Sequence, residues 1–161
     1  MGEHLINQQI IELLKQHNCW YEAFEHEPVR TSEEAALLRP GYSIKQGAKA
    51  LIVRAKVSGE GKKFVMLVMP ADQKFDSGKA KKVLHSKDIR FATEEEVEQI
   101  TDGVKLGGVP PFGNLFGLQV VTDPKLYKNE KVIFNAGRTS SIAMKSADYK
   151  QLVAPLVAEI V

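Results

Sequence analysis

The chain contains a single cysteine, Cys19, so it can build neither an intrachain disulfide nor a thiolate zinc cluster, and nothing in it asks for an oxidising compartment. No apolar run approaches membrane-spanning length, and Met1-Gly2-Glu3-His4-Leu5 lacks the basic stretch and apolar core of a secretory leader. A cytoplasmic protein with no membrane contact is expected. His-Glu-x-x-His and Cys-x-x-Cys spacings are missing, which argues against a bound metal. A Gly-x-Ser-x-Gly elbow and an evident Ser-His-Asp set are missing too, which removes the familiar serine hydrolases. There is no nucleotide-fold signature and no repeat, and no cofactor is expected. Net charge is small, +2 from 22 basic and 20 acidic residues, too little to announce a nucleic-acid binder by itself.

What is present suits one globular domain spanning residues 1–161. Hydrophobic residues make up 43% and charged residues 26%, enough to fill a core and unlike a disordered chain. Ile6, Ile10, Leu13 and Leu14 recur at helical spacing between Leu5 and His17, with Asn18 as the stop. Trp20–His26 alternates like a strand, and Thr31-Ser32-Glu33-Glu34 reads as a capping box opening a short helix through Leu38. Lys49–Val57 and Lys63–Met69 form a hairpin across Ser58-Gly59-Glu60-Gly61.

Helices are expected over Lys79–Leu84 and Thr93–Ile100, the second opened by Thr93-Glu94-Glu95-Glu96, with a short strand over Ile89–Ala92 between them. Short strands follow at Gln119–Thr122, Lys131–Asn135 and Ser141–Met144, with a helical turn starting at Asp123-Pro124. Ser146 is placed to cap a last helix that Pro155 must kink or break. This mixture predicts an α+β domain with a mixed, curled and partly closed, barrel-like sheet flanked by helices.

Three segments could carry chemistry. Gly107-Gly108-Val109-Pro110-Pro111-Phe112-Gly113 combines residues that fix φ with residues that let a ligand approach the backbone, so its few amides can point one way and hold an oxyanion or a phosphate; a tight structural turn is the plain alternative. Lys49 stands at the mouth of an apolar strand and must either reach solvent along its stem or meet an anion. Asn135-Ala136-Gly137-Arg138-Thr139-Ser140-Ser141 leaves room for a ligand at a strand end, or is simply a polar hairpin loop. Lys74, Lys79, Lys81, Lys82, Lys87 and Arg90 face only Asp76 and Asp88 over the same stretch, a patch that could steer a polyanion or merely solvate a helix face.

Taken in order, with Thr31-Ser32-Glu33-Glu34-Ala35-Ala36 before them, these segments resemble the YbaK/ProX family, the free-standing relatives of the bacterial prolyl-tRNA synthetase editing domain. The resemblance spans nearly the whole chain and rests on the Gly107-x-x-x-Pro111 loop running into Phe112-Gly113, on Lys49, and on the Ala136-Gly137 turn. It implies hydrolysis of the ester joining an amino acid to the terminal adenosine of tRNA, with a substrate ribose hydroxyl helping to activate water and no protein nucleophile. By match to the motif, the catalytic residues would be Lys49, Gly107, Gly108, Val109, Pro110 and Pro111. Substrate would be lined by His26, Thr31, Phe112, Gly113, Asn135, Ala136, Gly137 and Arg138.

For His26 a structural role stands beside the lining one, while His4, His17 and His85 read as surface or satisfied residues and Cys19 as a buried helix-end residue without a basic partner. Alanine-selective members of the family carry a histidine and a proline before the late asparagine. Val132-Ile133-Phe134-Asn135 carries neither, which argues against an alanyl-tRNA substrate. The resemblance implies the acceptor end of an aminoacyl-tRNA as partner and leaves open whether a synthetase assists and whether the substrate is prolyl-tRNA carrying a smaller amino acid. Two other functions fit the same residues: a non-catalytic tRNA- or aminoacyl-binding adaptor, and a small-ester hydrolase unconnected to tRNA.

Overall fold

The computed structural model describes residues 3–28 and 41–161. The capping box at Thr31–Glu34, the helix expected through Leu38, and Thr31 as a site residue all lie outside the described residues. Helix α1 (Glu3–Gln16) buries Ile6, Ile10 and Leu14 along one stripe and ends at Asn18, which adopts the left-handed conformation at φ 54°. Strands β1 (Tyr21–Glu25), β2 (Ala48–Val57) and β3 (Gly61–Pro70) follow, then helix α2 (Ser77–Leu84), β4 (Ser86–Phe91) and helix α3 (Glu94–Ile100). Strands β5 (Gln119–Thr122), β6 (Lys131–Asn135) and β7 (Ser140–Lys145) lead to helix α4 (Ser146–Val153) and the two-residue β8 (Leu156–Val157).

The strands fall into two sheets rather than one curled barrel. One has the order β1-β7-β6, all antiparallel; the other has the order β4-β2-β3-β5-β8, in which β3 and β5, and β5 and β8, run parallel. Neither sheet closes on itself among the described residues, and the expected partial closure is replaced by a single parallel bridge from Gly47 to Ile133 that sets the start of β2 beside β6. The mixed α+β class itself stands.

Burial follows the alternation of the strands. Met66 and Val68 of β3 point between the sheets, where they meet Val132 and Phe134 of β6, Ile142 and Met144 of β7, the α1 stripe, and Tyr149 and Val153 of α4. On the other face of the larger sheet, Val65, Leu67 and Met69 join Val53, Ala55 and Val121 under Ala80 and Leu84 of α2. Because β3 is covered on both sides, its buried half, Val65–Pro70, reads as a continuous apolar run.

Two local expectations change. Ser146 is the first residue of α4 and not its cap; Lys145 holds that place, and the Ser146 hydroxyl instead donates to the Asn129 carbonyl at 2.6 Å. Pro155 breaks the helix outright: Ala154 turns left-handed at φ 50°, and Leu156–Val157 pairs with β5 as a strand. The other elements form within a few residues of their expected bounds, including the capping box in which the Glu96 amide donates to Thr93 Oγ1 at 3.1 Å and the Thr93 amide to Glu96 Oε1 at 2.9 Å.

Candidate active site

The glycine-proline loop is held at both ends. At its start Gly107 takes φ 92°, a conformation that side chains resist, and the Gly108 amide donates to the Lys105 carbonyl at 2.9 Å. Next comes a backbone-to-backbone approach: the Gly137 amide donates to the Gly108 carbonyl at 2.7 Å, and a Cβ built on Gly108 would lie 2.7 Å from the Arg138 nitrogen. Only glycine fits there. At the far end the buried Tyr149 hydroxyl donates to the Pro111 carbonyl at 2.6 Å, and Phe112 packs between the rings of Phe134 and Tyr149 at 5.4 and 5.5 Å. Gly113 is pressed as closely, since a Cβ there would meet Val120 Cγ2 at 2.6 Å.

A loop fixed in this way keeps its free donors in place. Pro110 and Pro111 have no amide hydrogen. The amides of Gly107 and Val109 meet no acceptor among the described residues, while the Gly108 amide is already engaged. Two such amides on a rigid backbone can receive an oxygen that gains negative charge during reaction.

The third expected segment closes on the same loop. Asn135, at the end of β6, donates from Nδ2 to the Gly107 carbonyl at 2.7 Å. Ser141 lies directly across from it on β7, with Oγ 3.4 Å from Asn135 Oδ1. His26, just past β1, places Nε2 2.7 Å from Ser141 Oγ and Nδ1 2.9 Å from the Glu27 carbonyl, and its amide donates to the Thr139 carbonyl at 2.9 Å. The Ser141–His26 pair has the spacing of a nucleophile and its base, but Ser141 is fully buried and its hydroxyl oxygen faces Asn135, so the pair links strands instead of meeting substrate.

His26, Gly107, Gly108, Asn135, Gly137 and the Arg138 backbone are therefore brought together, and Ala136 joins them through its amide, which donates to the Ser140 carbonyl at 2.9 Å.

Lys49 sits apart from this network. Its ammonium, half-buried, donates to the Gln73 carbonyl at 2.9 Å, and among the described residues no carboxylate pairs with it. Alternation along β2 puts Lys49 on the side of Leu51 and Val53, whereas Ala48 and Ile52 face the inter-sheet core. The Gly47–Ile133 bridge nevertheless carries Lys49 and Asn135 forward in parallel, each two residues beyond it.

The basic stretch shrinks on folding. Arg90 forms a two-pronged pair with Glu96 at 2.8 and 2.9 Å, and Lys79 Nζ donates to the Val161 oxygen at 2.6 Å. Cys19 is half-buried, and burial, then the neighbouring Asp148, pushes its thiol up, away from nucleophilic use. No group of three or more His, Cys, Asp or Glu is gathered to hold a metal ion, and no helix is long and apolar enough to cross a membrane, among the described residues.

Sequence reasoning included Ser141 only as the end of the Asn135–Ser141 segment, without a role of its own, and missed Tyr149 as part of the site. The first was visible only as one of several small residues after Arg138, and the second lies 38 residues from the carbonyl it holds.

A rigid loop with two amides that meet no acceptor among the described residues is an arrangement able to receive a carbonyl oxygen. Comparison with known proteins gives that arrangement its family. Residues 26–152 match the model of the aminoacyl-tRNA editing domain. The chain is 32% identical to the multifunctional Ser/Thr-tRNA deacylase ProXp-y of Escherichia coli K12, over 92% of this chain and 89% of that one. It is 30% identical to the proline–tRNA ligase of Ralstonia pickettii over 61% of this chain and 17% of the ligase. Among solved structures, the hypothetical protein APE2540 superimposes with a TM-score of 0.80 at 25% identity, covering 94% of this chain and 97% of the other. A proposed trans-editing enzyme for prolyl tRNA synthetase superimposes with a TM-score of 0.79 at 24% identity, covering 96% of each. The chain belongs to the aminoacyl-tRNA editing domain family, and it is a deacylase of that class.

Proposed function

We propose that the whole chain acts as one module in trans, removing serine or threonine wrongly joined to a tRNA by hydrolysing the ester at the terminal adenosine. The observation that carries this reading is the pair of free amides, Gly107 and Val109, on a loop fixed by Asn135, Gly137 and Tyr149. As water attacks the ester carbon, the carbonyl oxygen becomes an oxyanion that these amides receive. The carbon–oxygen bond to the ribose then breaks, the ribose oxygen takes a proton, and the amino acid leaves as a carboxylate. Donors already in place at the oxyanion avoid reorganisation during the reaction, and one such donor is worth about a hundredfold or more in rate.

Among the described residues, His26 is turned onto Ser141 and the Glu27 carbonyl and so is not available as a base. The neighbouring ribose hydroxyl of the substrate fills that role in this reading. Lys49, with no carboxylate paired to it among the described residues, orients the substrate by its carbonyl or phosphate. Serine and threonine come from the Escherichia coli relative's name, and prolyl-tRNA carrying a smaller amino acid remains an option by the ligase match. The same match suggests a synthetase as an occasional partner that presents the tRNA.

A substrate whose terminal ribose lacks the hydroxyl vicinal to the ester tests the water-activation step: it should be cleaved at least tenfold more slowly, and an unchanged rate would reject that step. Lys49→Ala should likewise lower kcat/KM. Raising salt should depress activity on aminoacyl-tRNA steeply while a free aminoacyl ester notices little; an equal response would point to a small-ester hydrolase.

A further inference from the structure

Resting on the deacylase reading, we propose that Phe91, propped by Phe75, is a stacking platform for the unpaired nucleotides just before the terminal adenosine of the tRNA, with Lys74 beside it taking a phosphate. Phe91 ends the edge strand β4 and is 57% exposed, more than any other large apolar side chain among the described residues. A single exposed apolar side chain is ordinary. Its rigid support and the charge around it set this one apart.

The ring is held in place. Phe91 stands opposite Val53 of β2, its carbonyl accepts from Arg90 Nη1 at 2.9 Å, and the following amide, of Ala92, donates to the Ile52 carbonyl at 2.9 Å. Phe75 packs on the core beneath α2 and meets Phe91 with ring centroids 5.7 Å apart and planes tilted by 54°. One side of the Phe91 ring is thereby propped, and the exposed remainder faces solvent. A ring fixed before binding loses little freedom when a base stacks on it.

Charge at the platform favours a nucleic-acid strand over a protein. The tripeptide Gln73-Lys74-Phe75 joins it to the site: the Gln73 carbonyl holds the Lys49 ammonium at 2.9 Å, Lys74 is exposed, and neither lysine pairs with a carboxylate among the described residues. Both aspartates of this stretch are engaged, Asp72 with the Gln73 side-chain amide at 3.4 Å and Asp76 as the cap of α2, accepting from the Lys79 amide at 3.0 Å. From 72 to 87 five lysines stand against these two carboxylates, and of the five Lys79 is turned to the Val161 oxygen. Aromatic rings beside uncompensated lysines are how single strands are bound, bases on the rings and phosphates on the ammonium groups. The reach is right as well. Lys49 and Val53 share one face of β2, four residues apart, so the ring lies about 13 Å along the strand from Lys49, a span that the nucleotides before the terminal one can cover.

Two substrates separate the platform from the reacting centre: a tRNA mischarged with serine, and adenosine esterified with serine, which has no preceding nucleotides. Phe91→Leu keeps an apolar side chain but removes the π face. It should lower kcat/KM on the tRNA about tenfold and leave the rate on the adenosine ester within about twofold of wild type. Phe91→Trp should keep the tRNA rate at the wild-type level or above. Lys74→Ala should weaken the tRNA reaction and make its dependence on log salt shallower by about 0.7, the share of one phosphate contact on a single strand.

Fluorescence anisotropy of a short labelled oligoribonucleotide with the tRNA's 3′-terminal sequence gives a readout independent of turnover: it should bind wild type and Phe91→Trp alike, and Phe91→Leu about tenfold more weakly. More than half of the ring is exposed, so the substitution should not endanger folding; if it does, Lys74→Ala carries the same measurements. Unchanged affinity and tRNA rate in Phe91→Leu, or equal losses on both substrates, would overturn the proposal. So would a wild-type dimer in sedimentation that Phe91→Leu dissolves, since a second copy would then own the face. A wild type inactive on every ester that still binds the oligoribonucleotide through Phe91 would instead reject the deacylase reading and leave the platform in place.

Discussion

Replacing Gly108 with alanine should damage both stability and turnover, and by amounts that the geometry sets. The added Cβ would stand 2.7 Å from the Arg138 nitrogen and 2.8 Å from the Gly137 carbonyl carbon, about 0.7 Å inside the 3.4 Å at which ordinary contact begins. Both neighbours are backbone, so no side chain can swing aside. The two segments must separate, and the 2.7 Å hydrogen bond from Gly137 to the Gly108 carbonyl stretches or breaks with them.

Overpacking costs about 1–3 kcal/mol and the lost bond about 1 kcal/mol more, so a fall of about 3 kcal/mol is expected, or about 6–12 °C in Tm for a chain of this size. Displacing the loop amides by a large fraction of an ångström should also lower kcat/KM on the order of a hundredfold. Gly59→Ala is the control: it too has positive φ, at 81°, but a Cβ there meets nothing within 4 Å. It should cost about 1–2 kcal/mol from backbone strain alone and leave turnover unchanged. A Gly108→Ala protein as stable and active as wild type would refute the claim that close approach of the two segments builds the site.

Tyr149→Phe keeps the ring contacts with Phe112 but strands the Pro111 carbonyl, so thermal unfolding should show a loss of about 1–2 kcal/mol, accompanied by slower deacylation. The buried Asp123 carboxylate accepts from the amides of Lys125, Ile160 and Val161 at 2.9, 2.8 and 3.1 Å; Asp123→Ala should lower stability by about 3 kcal/mol or more in denaturant titration, and Asp123→Asn by less. Hydrogen bonds from Arg90, then from the Thr93 amide, lower the Glu96 carboxyl from 4.5 to about 2. A depressed carboxylate stabilises the fold above its unfolded value, so the Tm advantage of wild type over Glu96→Gln should be full above about pH 5 and fade as pH falls from 4.5 toward 2. An advantage constant across that range would contradict the assignment.

Elements whose cause lies within a few residues were legible in the sequence. The stripe of α1, the β2–β3 hairpin and the Thr93–Glu96 capping box each carry their own instructions, and they form where expected. What depends on distant partners was not legible. The division into two sheets follows from β3 pairing with β5 and β1 with β7, across 50 and more than 100 residues, and no local pattern encodes those choices. Ser146 looks like a cap until the Asn129 carbonyl arrives to take its hydroxyl.

The site shows the same division. Glycines and prolines mark the 107–113 loop because they act on their own backbone, whereas Ser141 and Tyr149 act through His26, Asn135 and Pro111, which folding brings to them. Lys49 was legible as a cation at a strand mouth, but its tether to the Gln73 carbonyl was not.

The most direct test of the account is the rate at which the purified protein deacylates tRNAs charged with alanine, serine, threonine, cysteine and proline. Accelerated loss of serine or threonine from a mischarged tRNA, with correctly matched pairs spared, is the predicted result. No acceleration over buffer for any of them would contradict the hydrolase and favour a tRNA- or aminoacyl-binding adaptor built on the same fold.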